Sequence, residues 1–450
     1  MSDPKGGRAA ALWASLRSPS RRNLVYTVGA GLLIQLMLVV TGPFLSRLLG
    51  PAGRGDLAAL MIWPTVLIQI GGLGIPAAVT YFLSRGLQRR ATIRLGLRFA
   101  LVQVVALVLV QCLIVVAVFA SRGPDVYDAA LISIAIIPGM LAREYGLAIL
   151  QARGSLLWYS LLQVLPIVLY VVAVVFLFVV SAGLVAVVIA WVGTTASIGL
   201  ATFAFAITRI DALGPSREGA SAPGGRQMLS YGLRGILSAN SATDIVRPDQ
   251  IALALFLPSR ALGLYVVALS ITNLPYFIAK AIGIAAFPAV ARESEPAVAR
   301  RVAWRYLWTM IAAAGLIVAA LFATASFLIP FFFGDAFDES VELSYILLAG
   351  TFFTAVRRVG AECMRGRGQP GAGTTAEIVA VVWLLATLAV LLPIVGVTGA
   401  AIGLAGSQLA SFLALAAIAS WRGELHTADA AAMLRAGLSK LMSTTGRYGR

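Results

Sequence analysis

The sequence predicts an all-α integral membrane protein of about a dozen transmembrane helices, ~20 residues each. Two observations carry that expectation. The chain is 60% hydrophobic and 12% charged, with a mean hydropathy of +0.91, whereas a soluble domain carries roughly twice that charged fraction. Apolar runs of about 20 residues recur along the whole length, each long enough to cross a ~30 Å hydrocarbon core.

The first run opens at Leu24, behind a basic polar segment, 1–23, that holds Lys5, Arg8, Arg17, Arg21 and Arg22. It is longer than the apolar core of a signal peptide and no small-residue cleavage site follows it, so it reads as a retained helix, 24–47. Five further spans are expected at 57–83, 95–120, 127–150, 157–180 and 183–207. The polar interruption at 208–228 contains Asp211, Pro215, Arg217, Glu218, Pro223, Gly224 and Gly225, the composition of a flexible linker. Spans at 229–257, 262–290, 303–330, 340–364, 373–394 and 397–420 complete a second set, followed by a tail at 422–450. The organisation expected is therefore two six-helix lobes, 24–207 and 229–421.

Charge sets the orientation. One set of loops holds Arg85, Arg89, Arg90 and Arg94, then Arg153, Arg209, Arg217 and Arg226, then Arg292, Arg300, Arg301 and Arg305, then Arg365 and Arg367. The alternate loops hold only Arg54, Arg122 and Arg260, with an acidic turn at Asp335, Asp338 and Glu339. Positive residues concentrate on the cytoplasmic side, so both termini are expected there. The net charge of +16 thus reads as topology determinants facing anionic lipid, not as a nucleic-acid surface.

An internal repeat supports two halves. Ala142-Arg143-Glu144-Tyr145-Gly146 through Arg153-Gly154 lines up with Val356-Arg357-Arg358-Val359-Gly360 through Arg367-Gly368, each copy closing the fourth span of its half. Six spans is an even number, so the halves are expected to run parallel about an axis along the membrane normal, with a substrate path between them. Prolines interrupt many spans and permit kinks; Pro76, Pro248 and Pro275 are the hinge or gate candidates. Before Pro248 the chain is pushed out of helical geometry, so a new helix is expected to begin there with Asp249 in its first turn.

The most informative residues are ionisable ones far from any loop. At ~1.5 Å per residue, Arg143 and Arg357 lie about 15 Å from their cytoplasmic loops, and Lys280 and Asp244 at similar depth. A midplane charge costs ~2.5–3.5 kcal/mol even on the insertion scale, so these groups are expected to face a wet cavity or one another. The alternative is ion pairing that holds helices together, such as Arg358 with Glu362. Deep basic residues (Arg143, Arg247, Lys280, Arg357, Arg358) outnumber deep acids (Glu144, Asp244, Asp249, Glu362). A guanidinium surplus in a low-dielectric cavity suits an anionic guest, and phosphate accepts its planar fork bidentately. On this reading Arg143→Ala and Arg357→Ala each reduce transport and leave membrane insertion intact.

Other chemistry is poorly served. The only histidine is His426, in the tail, and Cys112 and Cys363 both sit inside apolar runs, so neither a metal cluster, a disulfide framework nor a Ser/His triad is expected. The outward loops are short, which disfavours a membrane enzyme with catalytic residues outside the bilayer.

Several segments carry a family likeness. They are Leu48-Leu49-Gly50-Pro51-Ala52-Gly53-Arg54-Gly55-Asp56, Arg247-Pro248-Asp249-Gln250, Leu262-Gly263-Leu264-Tyr265-Val266-Val267-Ala268, Arg365-Gly366-Arg367-Gly368-Gln369-Pro370 and Gly396-Val397-Thr398-Gly399-Ala400-Ala401. In this order the chain resembles the polysaccharide-transport branch of the multidrug/oligosaccharidyl-lipid/polysaccharide exporter superfamily, which includes O-antigen flippases and, more distantly, lipid II flippases. Pro248 departs from the aliphatic residue expected between Arg and Asp. The resemblance implies a multi-pass protein of the bacterial inner membrane that is not an enzyme. It implies a two-lobed bundle around a cationic cavity that translocates a polyprenyl-diphosphate-linked oligosaccharide by alternating access, in cell-surface polysaccharide biosynthesis. The partners implied are that glycolipid, membrane lipids and the polymerase and glycosyltransferase machinery, with no nucleic acid. No cofactor is implied beyond a coupling H+ or Na+, for which Asp244, Asp249, Glu144 and Glu362 are candidate carriers. The competing expectation is a cation-coupled multidrug exporter of the same fold, disfavoured because the first span offers only Gln35 and Thr41 where an acid would stand.

Overall fold

The structure, a computed structural model, describes residues 19–85, 88–209, 223–239, 246–369 and 371–423. Asp244, Pro370, His426 and most of the N-terminal segment, the linker and the tail lie outside the described residues. Among those described the chain is helical throughout, with no strand.

Helix α1 (Pro19–Gly71) is one continuous run bent at Gly50, whose φ of 65° is open to glycine and strained for other residues. Pro51 follows as the first residue of the next piece, where its missing N–H costs nothing. The bend falls between the first two expected spans. The second span then breaks again: Leu73 and Gly74 take φ of 49° and 63°, and α2 (Ile75–Ser84) restarts with Pro76 in its first turn. Helix α3 (Arg89–Ile114) runs into a π turn, Val115–Phe119. The fourth span comprises α4 (Pro124–Ser133) and α5 (Ile136–Ala152), followed by α6 (Leu156–Val179) and α7 (Leu184–Thr208).

Helix α8 (Gly225–Ala239) precedes α9 (Pro248–Phe256), α10 (Ser259–Thr272) and α11 (Leu274–Ala291). Then come α12 (Pro296–Phe333), a 3-10 turn at Asp335–Phe337, α13 (Glu339–Gly366) and α14 (Gly371–Trp421). Like α1, α14 spans two expected helices and bends at a glycine, Gly396, with φ 60°. Nine helices among the described residues are long and apolar enough to cross a membrane. Large apolar side chains such as Leu101, Leu113, Val179, Leu316 and Ile394 are exposed on them, as lipid requires. The chain is an all-α, multi-pass membrane protein.

The chain divides into two compact units after Asn240. Sequence places α8 at the head of the second half, yet α8 packs within the first unit. Gly74 and Gly232 bring the backbones together so closely that a Cβ on Gly74 would overlap the Gly232 carbonyl oxygen. Tyr81 and Tyr231 stack beside this crossing with ring centroids 4.2 Å apart.

Inside the first unit α5 crosses α7 through glycines. A Cβ on Gly199 would overlap the Gly139 carbonyl oxygen, and one on Gly146 would lie 2.9 Å from the Phe203 Cα. Small residues allow such approaches where apolar attraction between helices is no stronger than attraction to lipid. The second unit repeats the device between α13 and the last part of α14, where a Cβ on Gly350 would lie 2.6 Å from the Ala405 Cα. Gly199→Leu is expected to overpack the α5–α7 crossing by about 1–3 kcal/mol or more. Its thermal midpoint in detergent should fall by several degrees, against no change for Gly193→Leu, a position with open space around it.

Candidate functional site

The repeat seen in sequence is also a repeat in structure. Helices α5 and α13 end alike: Gly154 and Gly368 adopt φ of 75° and 78°, and Ser155 N–H donates to the Leu150 carbonyl at 3.1 Å as Gln369 N–H donates to Met364 at 3.0 Å. These six-to-one closures need a left-handed glycine to terminate the helix. Upstream of the closing Arg153 and Arg367 stand Arg143 on α5 and Arg357 on α13, at the same distance along the chain.

In the first unit Arg143 Nη2 donates to the backbone carbonyl of Gln163 on α6 at 3.2 Å. Its Nη1 reaches Glu144 Oε1 at 3.4 Å, a long contact to a side chain that is 45% exposed. Arg143 Nε is buried with no hydrogen-bond partner among the described residues.

In the second unit Arg357 makes a tighter pair. Its Nη2 lies 2.5 Å from Glu377 Oε1 on α14, with the side chains only 9% and 14% exposed. The sequence places Arg357 beside Arg143 as a cation open to a guest; the geometry instead matches it with a buried carboxylate. Beside it, α11 and α13 run in parallel and share a polar ladder. Arg358 Nη1 donates to Tyr276 Oη at 2.9 Å and its guanidinium sits 5.0 Å from that ring's centroid. One turn on, Glu362 packs against α11 at Gly283, and its ion pair is to Arg365 at 3.0 Å rather than to Arg358. Arg365 in turn lies 4.5 Å over the Phe287 ring. Lys280, one turn past Tyr276 on α11, is exposed and holds no hydrogen bond or ion pair among the described residues. Towards this end of the three helices Lys280, Arg357, Arg358 and Arg365 are set against Glu362 and Glu377, a local surplus of two positive charges, while Glu339 and Glu342 stand at the opposite end of α13.

The sequence profile described as "Polysaccharide biosynthesis protein" matches residues 20–294. The chain belongs to the polysaccharide biosynthesis protein family. Comparison with curated proteins gives no match. Solved structures share the fold of this polysaccharide biosynthesis protein. One titled "Lipid II flippase MurJ, inward closed conformation" has a TM-score of 0.67 at 11% identity, over 87% of this chain and 86% of that one. An inward-facing multidrug resistance MATE family transporter of the MOP superfamily gives 0.65 at 17% identity, over 85% and 93%. The MATE multidrug transporter DinF-BH in complex with R6G gives 0.60 at 17%, over 90% and 95%.

The remaining candidates of this polysaccharide biosynthesis protein take defined places. Arg247 adopts a left-handed φ of 46° and ends the preceding segment. Pro248 starts α9 and Asp249 occupies its first turn, as the Arg-Pro-Asp order predicts. Asp249 is buried and accepts a 2.7 Å hydrogen bond from the Tyr265 hydroxyl, while Arg247 is exposed. Pro76 and Pro275 both stand in the first turn of a helix that follows a break. All three candidate hinges are thus at discontinuities, where proline removes no helical hydrogen bond.

Sequence reasoning missed Gln163, Tyr276 and Glu377. The signal for two of them was present: Gln163 and Glu377 are 214 residues apart, the same separation as Arg143 and Arg357.

Proposed function

We propose that the protein is a flippase that carries a polyprenyl-diphosphate-linked oligosaccharide from the cytoplasmic to the outer leaflet of a bacterial inner membrane by alternating access. The observation that carries this reading is the exposed Lys280 ammonium on α11, which holds no hydrogen bond or ion pair among the described residues. An intramembrane ammonium that no described residue pairs requires water or a charged guest, and diphosphate is the anionic part of a lipid-linked sugar. The family's description and a MurJ-like fold support the same substrate class. Twelve spans, with both termini cytoplasmic, complete the proposal, and an alkaline phosphatase fused to the C terminus should be inactive in cells.

The test is reconstitution. Proteoliposomes loaded with a fluorescent polyprenyl-diphosphate oligosaccharide should expose it to an outside quencher faster than empty liposomes do. A second reading, a cation-coupled multidrug exporter, is favoured by the likeness to MATE transporters. It requires efflux of a lipophilic cationic dye with no glycolipid movement, and that result would displace the first. Collapsing proton and sodium gradients in turn identifies the coupling ion, with Glu144, Asp249 and Glu362 as candidate carriers. Undiminished transport in both cases assigns exchange driven by substrate supply.

A further inference from the structure

We infer that the first unit binds a small inorganic anion, of the chloride class, between Arg54 on α1 and Tyr170 on α6. Both residues belong to the first unit and Lys280 to the second, and the site stands whether or not the protein moves a glycolipid.

Arg54 is half-buried, four residues past the Gly50 bend of α1. Its Nε is sealed from solvent without a hydrogen-bond partner, and the whole guanidinium holds no hydrogen bond or ion pair to any described residue. The acid two residues on, Asp56, faces Arg122 at 3.8 Å instead. Among the described residues the Arg54 charge acts on the Tyr170 hydroxyl. Tyr170 is 4% exposed, and its Oη is likewise buried without a partner.

The recess therefore offers donors. A guanidinium carries N–H groups and no acceptor, and it keeps its charge. The phenol makes no hydrogen bond to Arg54, so its O–H is left to give. Buried polar groups are satisfied almost without exception, and a buried charge is costly unless it is paired. Water would satisfy the N–H and O–H groups and leave the charge unbalanced; an anion does both. Snorkelling would carry the guanidinium out to the membrane surface. Its action on Tyr170, nine residues short of the end of α6, marks it as turned into the unit. A headgroup phosphate brings a glycerol or sugar that a sealed Nε and a buried phenol do not admit, whereas a monatomic ion needs only the two donors. Bound there, it ties the start of the second part of α1 to α6.

The experiment compares anions at fixed ionic strength. Thermal midpoints of purified protein are measured in gluconate, chloride and diphosphate salts. Replacing gluconate with chloride should raise the wild-type midpoint by about 2 °C or more, since a ligand that binds only the folded state stabilises it. Arg54→Met should abolish that response. Tyr170→Phe removes one donor, keeps the ring, and should weaken the apparent chloride affinity about tenfold. A crystal grown in bromide should show anomalous scattering within hydrogen-bond reach of both side chains. If Arg54→Met does not fold, Tyr170→Phe and the bromide position decide. A wild-type midpoint indifferent to chloride, a full chloride response in either variant, or bromide found only elsewhere, as an adventitious ion only, overturns the inference. Stabilisation by diphosphate and not by chloride also overturns it, and assigns Arg54 to a phosphate-bearing substrate.

Discussion

Arg357→Ala is expected to unfold the second unit more readily rather than to slow transport in a folded protein. The substitution removes the guanidinium that pairs with Glu377, a side chain only 14% exposed. Removing one member of a buried ion pair costs about 3–5 kcal/mol, because the survivor loses the opposite charge that offset its desolvation. The effect should appear as a lower thermal midpoint in detergent and a reduced yield of monodisperse protein. Replacing both members with apolar residues of similar size, Arg357→Met with Glu377→Leu, should recover most of that loss, since a well-packed apolar pair is often as stable as the ions it replaces. A single substitution with wild-type stability would show that the pair is solvated. The sequence alone assigns Arg143 and Arg357 one role and forecasts one outcome; the ion pair separates them.

The second large effect is on transport. Lys280→Gln with Arg358→Gln removes two positive charges from the α11–α13 ladder and leaves the Arg357–Glu377 pair intact. Hydrogen bonds to charged groups are worth about 1.5–3 kcal/mol each, so losing two corresponds to roughly 100-fold or more in glycolipid binding. Stability should change little. Lys280 is bonded to nothing among the described residues, and a glutamine at position 358 is neutral and keeps a side-chain donor. Initial rates of glycolipid translocation, normalised to reconstituted protein, measure the effect. Transport within threefold of wild type would place the substrate path elsewhere.

The membrane character and the all-α fold were legible in the residues. Apolar runs long enough for a bilayer recur with short basic breaks, and a backbone in hydrocarbon has no better way to satisfy its hydrogen bonds than a helix. Local chemistry was legible too. Gly50 and Gly396 mark the bends in α1 and α14, and Arg247-Pro248-Asp249 predicts the start of α9, because glycine and proline restrict or release φ wherever they stand.

Partners across helices were not legible. Beyond its repeat offset from Gln163, a carboxylate near the start of an apolar span does not reveal that it meets Arg357, and the i,i+4 spacing of Arg358 and Glu362 suggests a pair that the fold replaces with Tyr276 and Arg365. Nor does the linker's position reveal that α8 packs against α2 through Gly74 and Gly232. Sequence spacing records neighbours along one helix. Which charges are neutralised and which remain exposed depends on the rotation and register of helices against each other, set by contacts such as Gly139 with Gly199 and Gly350 with Ala405, and only the tertiary structure decides that.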